Sequence, residues 1–315
     1  EIHRNGAIAY AIFDYIKYTS DKKYLAEYGL EVLIGIARFW AQRVNWSEDK
    51  NRYVMLGVTG PNEFENNVNN NWYTNKIAAW CLDYCREAIE YVGANFSIDY
   101  ARIVKVTDFN LSETEEWKKI SDNMYYPFSE KHGVFLQQDG FLDKELIPVS
   151  KLPDAERPIV EHWSWDRILR SCYIKQADTL QGLYFFEDEY TNEELKKHYD
   201  FYEPLTVHES SLSPCVHSIL AAKLGDEKRA YEFYLRTARL DLDDYNNDTR
   251  DGLHITSMAG TWMSIVKGFA GMRVIDNELT FKPFLPANWT SFSFKVRFHG
   301  NVHDVTIDKN GLSVN

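Results

Sequence analysis

Apolar residues recur at helical spacing through most of the first 270 positions of the chain. In one such segment Leu30, Leu33 and Ala37 fall on one face of a helix. The same periodicity predicts helices at residues 5–18, 24–45, 70–93, 111–124, 166–186, 192–200, 211–224, 226–240 and 255–270. Short polar turns join these helices, which favours a toroid of antiparallel helix pairs over a four-helix bundle.

The helical period is lost in two regions of the chain. Pro and Gly residues interrupt residues 125–160, which predicts small strands within a long excursion, and such excursions tend to be functional or to cover a site. After Gly271 the pattern has a period of two, which predicts antiparallel strands near 278–281, 292–296 and 302–307. We therefore expect a helical domain at 1–271 and a small β domain at 272–315.

The helical pattern begins within a few residues of Glu1, and the first residue is not Met. We expect from this that the chain is an N-terminally truncated part of a longer polypeptide. The last strands end without a closing partner, so we also expect the C-terminal β domain to be incomplete.

Composition narrows the classes of partner. The net charge of −12 argues against nucleic acid and anionic membranes, and no apolar run is long enough to span a bilayer. We find no signal peptide, and the four cysteines lie on apolar helical stripes, which predicts reduced core thiols in a cytoplasmic protein (Cys81, Cys85, Cys172 and Cys215). We expect neither a metal nor an organic cofactor.

The stretch from Met55 to Asn75 is the first candidate site. It joins a short apolar run to a long helix through a Gly-Pro turn that holds Glu63, and it is rich in Asn. A carboxyl group among amides, with Phe64 and Trp72 as apolar neighbours, is typical of a site that binds a polyhydroxylated ligand and donates a proton to it. The alternative is an Asn-rich surface loop in which Glu63 is a solvated turn residue.

Three further stretches contribute polar groups. Lys175 and Gln176 fall on the helix predicted at 166–186, near its apolar face, although a lysine there can also extend its ammonium group to solvent. Ser210 and Ser211 lie at or next to the N-terminus of a predicted helix, where backbone N–H groups favour an anion, although a serine is more often an ordinary cap. A second helix start has a similar arrangement of residues (His254, Thr256 and Ser257). Together the two helix starts predict a phosphate site.

The chain resembles the disaccharide phosphorylases of glycoside hydrolase family 65. The resemblance rests on segments that occur in the same order, which are H-R-N-G-A-I-A-Y-A-I at 3–12, G-V-T-G-P-N-E-F-E-N-N-V-N-N-N-W-Y-T-N at 57–75, K-Q-A-D at 175–178, H-E-S-S-L-S-P at 208–214 and D-G-L-H-I-T-S-M-A-G-T-W at 251–262. It implies the C-terminal helices of an (α/α)6 barrel, followed by a small antiparallel β-sandwich domain.

The resemblance also implies a reaction and its residues. The reaction is inverting phosphorolysis of an α-linked glucose disaccharide, with maltose as the expected substrate, and it gives β-glucose 1-phosphate and glucose. Glu63 would be the general acid, and Lys175 and Gln176 would bind the sugar. Phosphate is a co-substrate, and the residues that would hold it are Ser210, Ser211, His254, Thr256 and Ser257. A homodimer is implied as well.

Other readings remain open at this stage. An inverting hydrolase of the same family would need a second carboxylate as base, for which Glu209 is available. Phosphorolysis of kojibiose, trehalose or nigerose would use the same acid and phosphate site. A carbohydrate-binding module without catalytic activity would need neither a proton donor nor a phosphate site.

Overall fold

The computed structural model describes residues 1–245 and 247–315, and the chain forms two compact units. The first unit contains Glu1–Pro61, Glu65–Ser129 and Phe135–Asp139, and the second contains Asn62–Phe64, Glu130–Val134 and Gly140–Asn315. The turn that holds Glu63 therefore belongs to the second unit, together with every other predicted site residue. The domain boundary expected between residues 271 and 272 stays a prediction.

The first unit is built from helices whose apolar stripes face one another. They are α1 (Arg4–Thr19), α2 (Lys22–Tyr24), α3 (Leu30–Arg43), α4 (Trp72–Asn95), α5 (Ser97–Thr107) and α6 (Glu113–Asp122). A π-helical turn at Leu25–Gly29 joins α2 to α3. Four of the predicted helices are thus confirmed. Helix α5 was not predicted, because it buries little apolar surface, with Ile103 as its one fully buried residue.

Helix α4 lies at the centre of this unit and contacts α1, α3 and α6. Its buried face carries Ile77, Cys81 and Cys85, and Trp40 and Trp117 are buried beside these helices. A hairpin of two short antiparallel strands, β1 (Asn45–Ser47) and β2 (Arg52–Val54), precedes the Asn-rich loop.

The asparagines of that loop hydrogen-bond to its own backbone. The side-chain oxygen of Asn70 accepts from the Met55 amide at 3.0 Å, and Asn71 caps α4 by accepting from the Thr74 amide at 2.9 Å. Both side chains are buried. These two amides therefore shape the loop, and they are not exposed for the ligand contacts that the composition suggested.

In the region where the helical period is lost, the structure has the small strands that were predicted there. They are β3 (Phe128–Ser129) and β4 (Val134–Phe135). Short 3-10 turns follow, of which one is Val149–Lys151.

The second unit contains the remaining helices. They are α7 (Ile159–His162), α8 (Trp165–Arg170), α9 (Thr179–Phe185), α10 (Asn192–Tyr202), α11 (Ser213–Lys223), α12 (Glu227–Ala238) and α13 (Ile255–Met263). A π-helical turn, Ser264–Phe269, extends α13. Thr191 and Glu194 form a capping box at the start of α10, and Asp226 caps α12. Helix α11 contacts both α12 and α13.

The continuous helix predicted at 166–186 is wrong. Helix α8 ends at Arg170 and α9 begins at Thr179, with irregular chain between them. The amide of Ile174 donates to the carbonyl of Leu205 at 3.0 Å, and the amide of Val207 donates to the carbonyl of Ile174 at 2.9 Å. This parallel bridge satisfies the backbone through distant residues, which periodicity along the sequence does not reveal.

The predicted strands at the end of the chain are confirmed. A hairpin, β5 (Arg273–Ile275) and β6 (Glu278–Thr280), precedes a sheet of order β7-β8-β9. The strands of that sheet are antiparallel, namely β7 (Ser291–Phe298), β8 (Asn301–Asp308) and β9 (Gly311–Val314). One face buries apolar side chains (Val296, Phe298, Val305 and Ile307).

Candidate active site

The turn that presents Glu63 is held by its neighbour Asn62, which is fully buried. The side-chain oxygen of Asn62 accepts from the amides of Lys175, at 3.0 Å, and Phe64, at 3.2 Å. The amide of Asn62 donates to the buried carboxylate of Asp178 at 2.9 Å. These bonds join two segments that are more than 110 positions apart in the chain, and they place Glu63 and Lys175 side by side.

The ammonium group of Lys175 donates a hydrogen bond to the carboxylate of Glu63. The Glu63 side chain is 40% exposed and that of Lys175 is 26% exposed, so the pair opens to solvent. The apolar surround expected for Glu63 is not what its carboxylate contacts. Trp72 instead stacks on Phe135, with ring centroids 5.0 Å apart, within the first unit. The carboxylate of Glu63 is paired with a cation.

Lys175 and Gln176 do not lie on a helix, which corrects the sequence prediction. They lie in the irregular segment between α8 and α9, directly after the bridge formed by Ile174. Gln176 is 8% exposed and Lys175 is half-buried. The segment thus places an ammonium group next to the carboxylate of Glu63.

Ser210 and Ser211 lie three and two residues before the start of α11. The hydroxyl of Ser210 accepts from the amide of Leu212 at 3.3 Å, and its carbonyl accepts from the amide of Ser213 at 3.2 Å. Ser210 therefore acts partly as the ordinary turn residue that the sequence also allowed.

The hydroxyls of Ser211 and Thr256 are 3.1 Å apart and hydrogen-bond to each other. This contact brings together the two segments that the sequence singled out for phosphate. It is possible because α11 and α13 approach closely at Gly260, where an added Cβ would lie 2.8 Å from the Cβ of Cys215. A glycine at this point permits the two helix starts to meet.

Ser257 has a different environment from Thr256. Its hydroxyl donates to the carbonyl of Thr237 at 2.8 Å, and the residue is 2% exposed. Ser257 therefore anchors α13 to α12, and its hydroxyl is already occupied within the protein.

His254 immediately precedes α13 and lies between two carboxylates. Its Nδ1 is 2.6 Å from Asp241 and its Nε2 is 3.4 Å from Asp248, while its backbone amide donates to Asp241 at 2.9 Å. The hydrogen bond with Asp241 raises the pKa of His254, and that bond in turn lowers the pKa of Asp241. The imidazole therefore retains its positive charge to higher pH than an ordinary histidine.

The carboxylate of Glu209 is hydrogen-bonded to the backbone. Both of its carboxylate oxygens accept from the amide of Ile159, at 3.0 and 2.9 Å. Burial raises the pKa of this carboxyl, although the bond to Ile159 opposes the shift. The group therefore holds the start of α7, which argues against a role as the base that activates water.

Sequence reasoning did not assign a role to three groups that organise these sites, Asn62, Asp178 and Asp241. Asn62 and Asp178 lie inside segments that carried the family resemblance. The sequence therefore identified the segments, but it did not predict the hydrogen bonds that these two side chains make. Asp241 lies 13 positions before His254 in an acidic run, where nothing in the sequence distinguishes it from its neighbours.

The described part of the chain contains no group of three or more His, Cys, Asp or Glu side chains suited to a metal ion. Within the same residues, no helix combines the length and apolarity needed to cross a bilayer. The chemistry on offer is thus one carboxyl group, a lysine beside it, and hydroxyls and an imidazole at two helix starts.

Comparison with known families gives two matches that together cover nearly the whole chain. Residues 1–263 match the glycosyl hydrolase family 65 central catalytic domain, and residues 272–315 match the C-terminal domain of the same family.

Curated relatives agree with this assignment. The chain is 56% identical to a maltose phosphorylase of Bacillus subtilis over 98% of its length, and that alignment covers 40% of the relative. It is 40% identical to an α,α-trehalose phosphorylase of Thermoanaerobacter brockii over 99% of its length, again covering 40% of the relative. The chain therefore spans about two fifths of the length of the curated relatives that it matches.

A solved structure supports the fold. The structure titled "Putative kojibiose phosphorylase from human microbiome" superposes with a TM-score of 0.91 at 37% identity, over 99% of this chain and 43% of that one. The predicted fold class, mainly α with the C-terminal helices of an (α/α)6 barrel followed by a small antiparallel β domain, is confirmed by this likeness.

Proposed function

The chain belongs to glycosyl hydrolase family 65, and from this membership we propose that the protein that carries it is a phosphorylase of an α-linked glucose disaccharide, with maltose as the substrate. The observation that carries the proposal is the gap in identity, 56% to a maltose phosphorylase against 40% to a trehalose phosphorylase and 36% to a kojibiose phosphorylase. The reaction would convert maltose and phosphate into β-glucose 1-phosphate and glucose.

In this proposal Glu63 is the general acid. Cleavage of a glycosidic bond needs a proton on the leaving oxygen, and an inverting hydrolase also needs a carboxylate base to activate water. Phosphate is already an anionic nucleophile, so it needs only positioning and charge stabilisation. A site with Glu63 as the acid, and with Glu209 bound to the Ile159 amide, suits phosphate better than water.

Lys175 has two partners in the proposed cycle. In the free site it binds the carboxylate of Glu63. A proton donor must be neutral before it acts. We therefore expect a hydroxyl of the bound sugar to replace Glu63 as the partner of Lys175, with Gln176 as the neighbouring sugar contact, so that Glu63 is free to carry the proton.

Phosphate would bind where the starts of α11 and α13 meet. Ser211 and Thr256 offer hydroxyls 3.1 Å apart, and His254 offers an imidazole whose pKa is raised by Asp241. Ser210 contributes from the preceding turn. Ser257 would contribute through its support of α13, because its side chain is occupied. A cytoplasmic location and a homodimer complete the proposal, and size-exclusion chromatography with light scattering would test the latter.

The decisive experiment incubates the full-length protein with phosphate and each of maltose, trehalose, kojibiose and nigerose, and then identifies the anomer of glucose 1-phosphate by NMR. Maltose with phosphate should give the β anomer, and maltose without phosphate should give no glucose. Glucose release in phosphate-free buffer would indicate the hydrolase, and sugar binding without turnover would indicate a binding module. The α anomer would refute inversion.

The role of Glu63 is tested by Glu63→Gln. Loss of a general acid typically reduces the rate by about 10²- to 10⁴-fold, so kcat should fall by that order while the protein stays folded. Glu161→Gln is a matched control, because Glu161 is exposed and has no side-chain partner among the residues that the structure describes. Glu63→Gln with near-normal kcat would show that another group is the acid.

A further inference from the structure

A polar pocket lies beside the segment that leads to Ser210, and Val207 and His208 of that segment help to line it. It has a volume of about 300 Å³, and among the groups that line it are Arg157, Arg229, Arg236 and His208. Its size is at the lower end of the range for ligand pockets in proteins. The proposed function assigns no role to it.

The arginines of this pocket are unevenly neutralised. Arg229 pairs with Glu203 and, at 3.0 Å, with Glu232. Arg157 and Arg236 have no ion pair within 4 Å in the part of the chain that the structure describes. Burial is the main cause that lowers the pKa of Arg236, and the nearby arginines add to it, whereas Tyr245 and Glu209 oppose the shift.

The carboxylates near these two arginines have other partners as well. The carboxylate of Glu209 lies near Arg157 and Arg236, and it also accepts a hydrogen bond from the amide of Ile159. Glu203 is paired with Arg229. Three guanidinium groups thus line this one pocket of a protein whose net charge is −12.

Two of the residues that line the pocket each have a buried nitrogen without a hydrogen-bond partner within the described residues. They are Nε of Arg236 and Nε2 of His208, and His208 is only 5% exposed. Burial lowers the pKa of His208, so the ring is neutral and carries one N–H. The hydroxyl of Ser213 lies 2.8 Å from Nδ1, and the tautomer of the ring sets which of the two donates. Nε of Arg236 always carries a proton, so it is a donor without an acceptor, an arrangement that costs free energy in a protein interior.

We propose that this pocket binds a tetrahedral oxyanion, either inorganic phosphate or the phosphoryl group of a sugar phosphate, at a site separate from the one formed by Ser211 and Thr256. Guanidinium groups match the geometry of such anions and bind them through paired hydrogen bonds. The unpaired Nε of Arg236 would gain the acceptor that it lacks. The choice of phosphate as ligand rests on the proposed function, whereas the pocket itself does not.

The same arginines connect the pocket to the first phosphate site. A terminal nitrogen of Arg157 donates to the carbonyl of Val207 at 3.1 Å, and one of Arg236 donates to the carbonyl of His208 at 2.8 Å. These carbonyls lie only three and two residues before Ser210, respectively. An anion that binds the arginines would change the hydrogen bonds that they donate to these carbonyls. Binding of an anion in the pocket would therefore affect the affinity for phosphate at the reaction site.

Equilibrium dialysis with radiolabelled phosphate tests the proposal, because it counts phosphates per chain in the full-length protein. The wild type should bind two. The double variant Ser210→Ala/Ser211→Ala should lose the phosphate of the reaction site and retain one. Unlabelled β-glucose 1-phosphate, added as a competitor, shows whether the pocket also accepts a sugar phosphate.

Two further variants, made in the double-variant background, locate the retained phosphate. Ser150→Asp places a negative charge at the exposed rim of the pocket without removing any side-chain bond, and Arg157→Gln removes a cation. Each should weaken the retained phosphate at least about tenfold through charge alone. Ser150→Ala and Arg239→Gln are the controls, since the latter removes an arginine that pairs with Asp243 outside the pocket. Both controls should leave the retained phosphate unchanged.

The possible outcomes separate this proposal from the proposed function. If the double variant binds no phosphate, or if Ser150→Asp and Arg157→Gln leave its remaining phosphate unaffected, the pocket is not an oxyanion site. If the wild type binds one phosphate that survives the serine substitutions and is weakened by Ser150→Asp, the pocket is supported and the proposed phosphate site at the two serines fails.

Discussion

Gly260 permits the close approach of α11 and α13. The substitution Gly260→Ala tests how far the stability of the protein and the affinity for phosphate depend on that approach. An added Cβ would lie 2.8 Å from the Cβ of Cys215, 3.1 Å from its Sγ and 3.2 Å from Cγ2 of Thr237. Ordinary contacts begin at 3.4 Å, so the closest pair must separate by 3.4 − 2.8 = 0.6 Å. The neighbouring Cβ is fixed to the backbone of α11, and the helices themselves must therefore move.

Two opposing effects decide the sign. Overpacking of this kind costs about 1–3 kcal/mol. Replacing a helical glycine by alanine gains about 0.8–1 kcal/mol in helix propensity. The cost is larger, so Gly260→Ala should lower the free energy of unfolding by up to about 2 kcal/mol. Because Ser211 and Thr256 lie at the starts of the two helices, the KM for phosphate should rise more than the KM for maltose.

Gly35→Ala is the matched control. Gly35 is also helical, but an added Cβ there would have no atom within 4 Å, so the propensity gain of up to about 1 kcal/mol should appear alone. Urea unfolding of both variants measures the difference, and Cys215→Gly, which removes the two closest atoms, should relieve part of the loss. If Gly260→Ala stabilises the protein as much as Gly35→Ala does, the close helix contact is not what the structure indicates.

Two further substitutions test the supports of the site. Asn62→Ala removes the acceptor of two backbone amides, so it should lower kcat and cost about 1–3 kcal/mol of stability for each donor left unpaired. The control Asn66→Ala, at an exposed position, should change stability by less than about 0.5 kcal/mol. Equal effects of the two substitutions would contradict the supporting role of Asn62. Asp241→Asn should lower the pKa of His254, so the loss of phosphate affinity at alkaline pH should begin at lower pH than in the wild type. The direction of this shift follows from the raised pKa of His254 in the folded protein. Protonated His254 contributes its full stabilisation below the ordinary histidine pKa, and this contribution is lost as the pH rises through the raised pKa. A pH profile of KM for phosphate that does not move would refute the link between Asp241 and His254.

Most of the helices and strands were accessible from the sequence because their stabilisation is local or periodic. The stripe of Leu30, Leu33 and Ala37 predicts α3, and the period-two pattern near Val305 predicts β8. Helix α5 was missed because Ile103 is its one fully buried residue, so it lacks the stripe on which such a prediction depends.

The candidate residues were also accessible, but their contacts were not. The segments with Glu63, Lys175 and His254 could be quoted from the sequence and matched to a family. That Lys175 lies in an irregular segment, and that its ammonium group meets Glu63, depends on Asn62 and on the bridge formed by Ile174. Both join residues far apart along the chain.

The sequence by itself determined the order of helices and strands, the family and the identity of the groups able to carry the reaction. The tertiary structure alone decided which of those groups meet. In that structure Glu63 pairs with Lys175, and Ser211 hydrogen-bonds to Thr256 where the helices pack closely at Gly260. The hydroxyl of Ser257 donates to the carbonyl of Thr237. The reason is physical: propensity and periodicity act over a few residues, whereas an ion pair or a buried hydrogen bond is set by packing between distant segments.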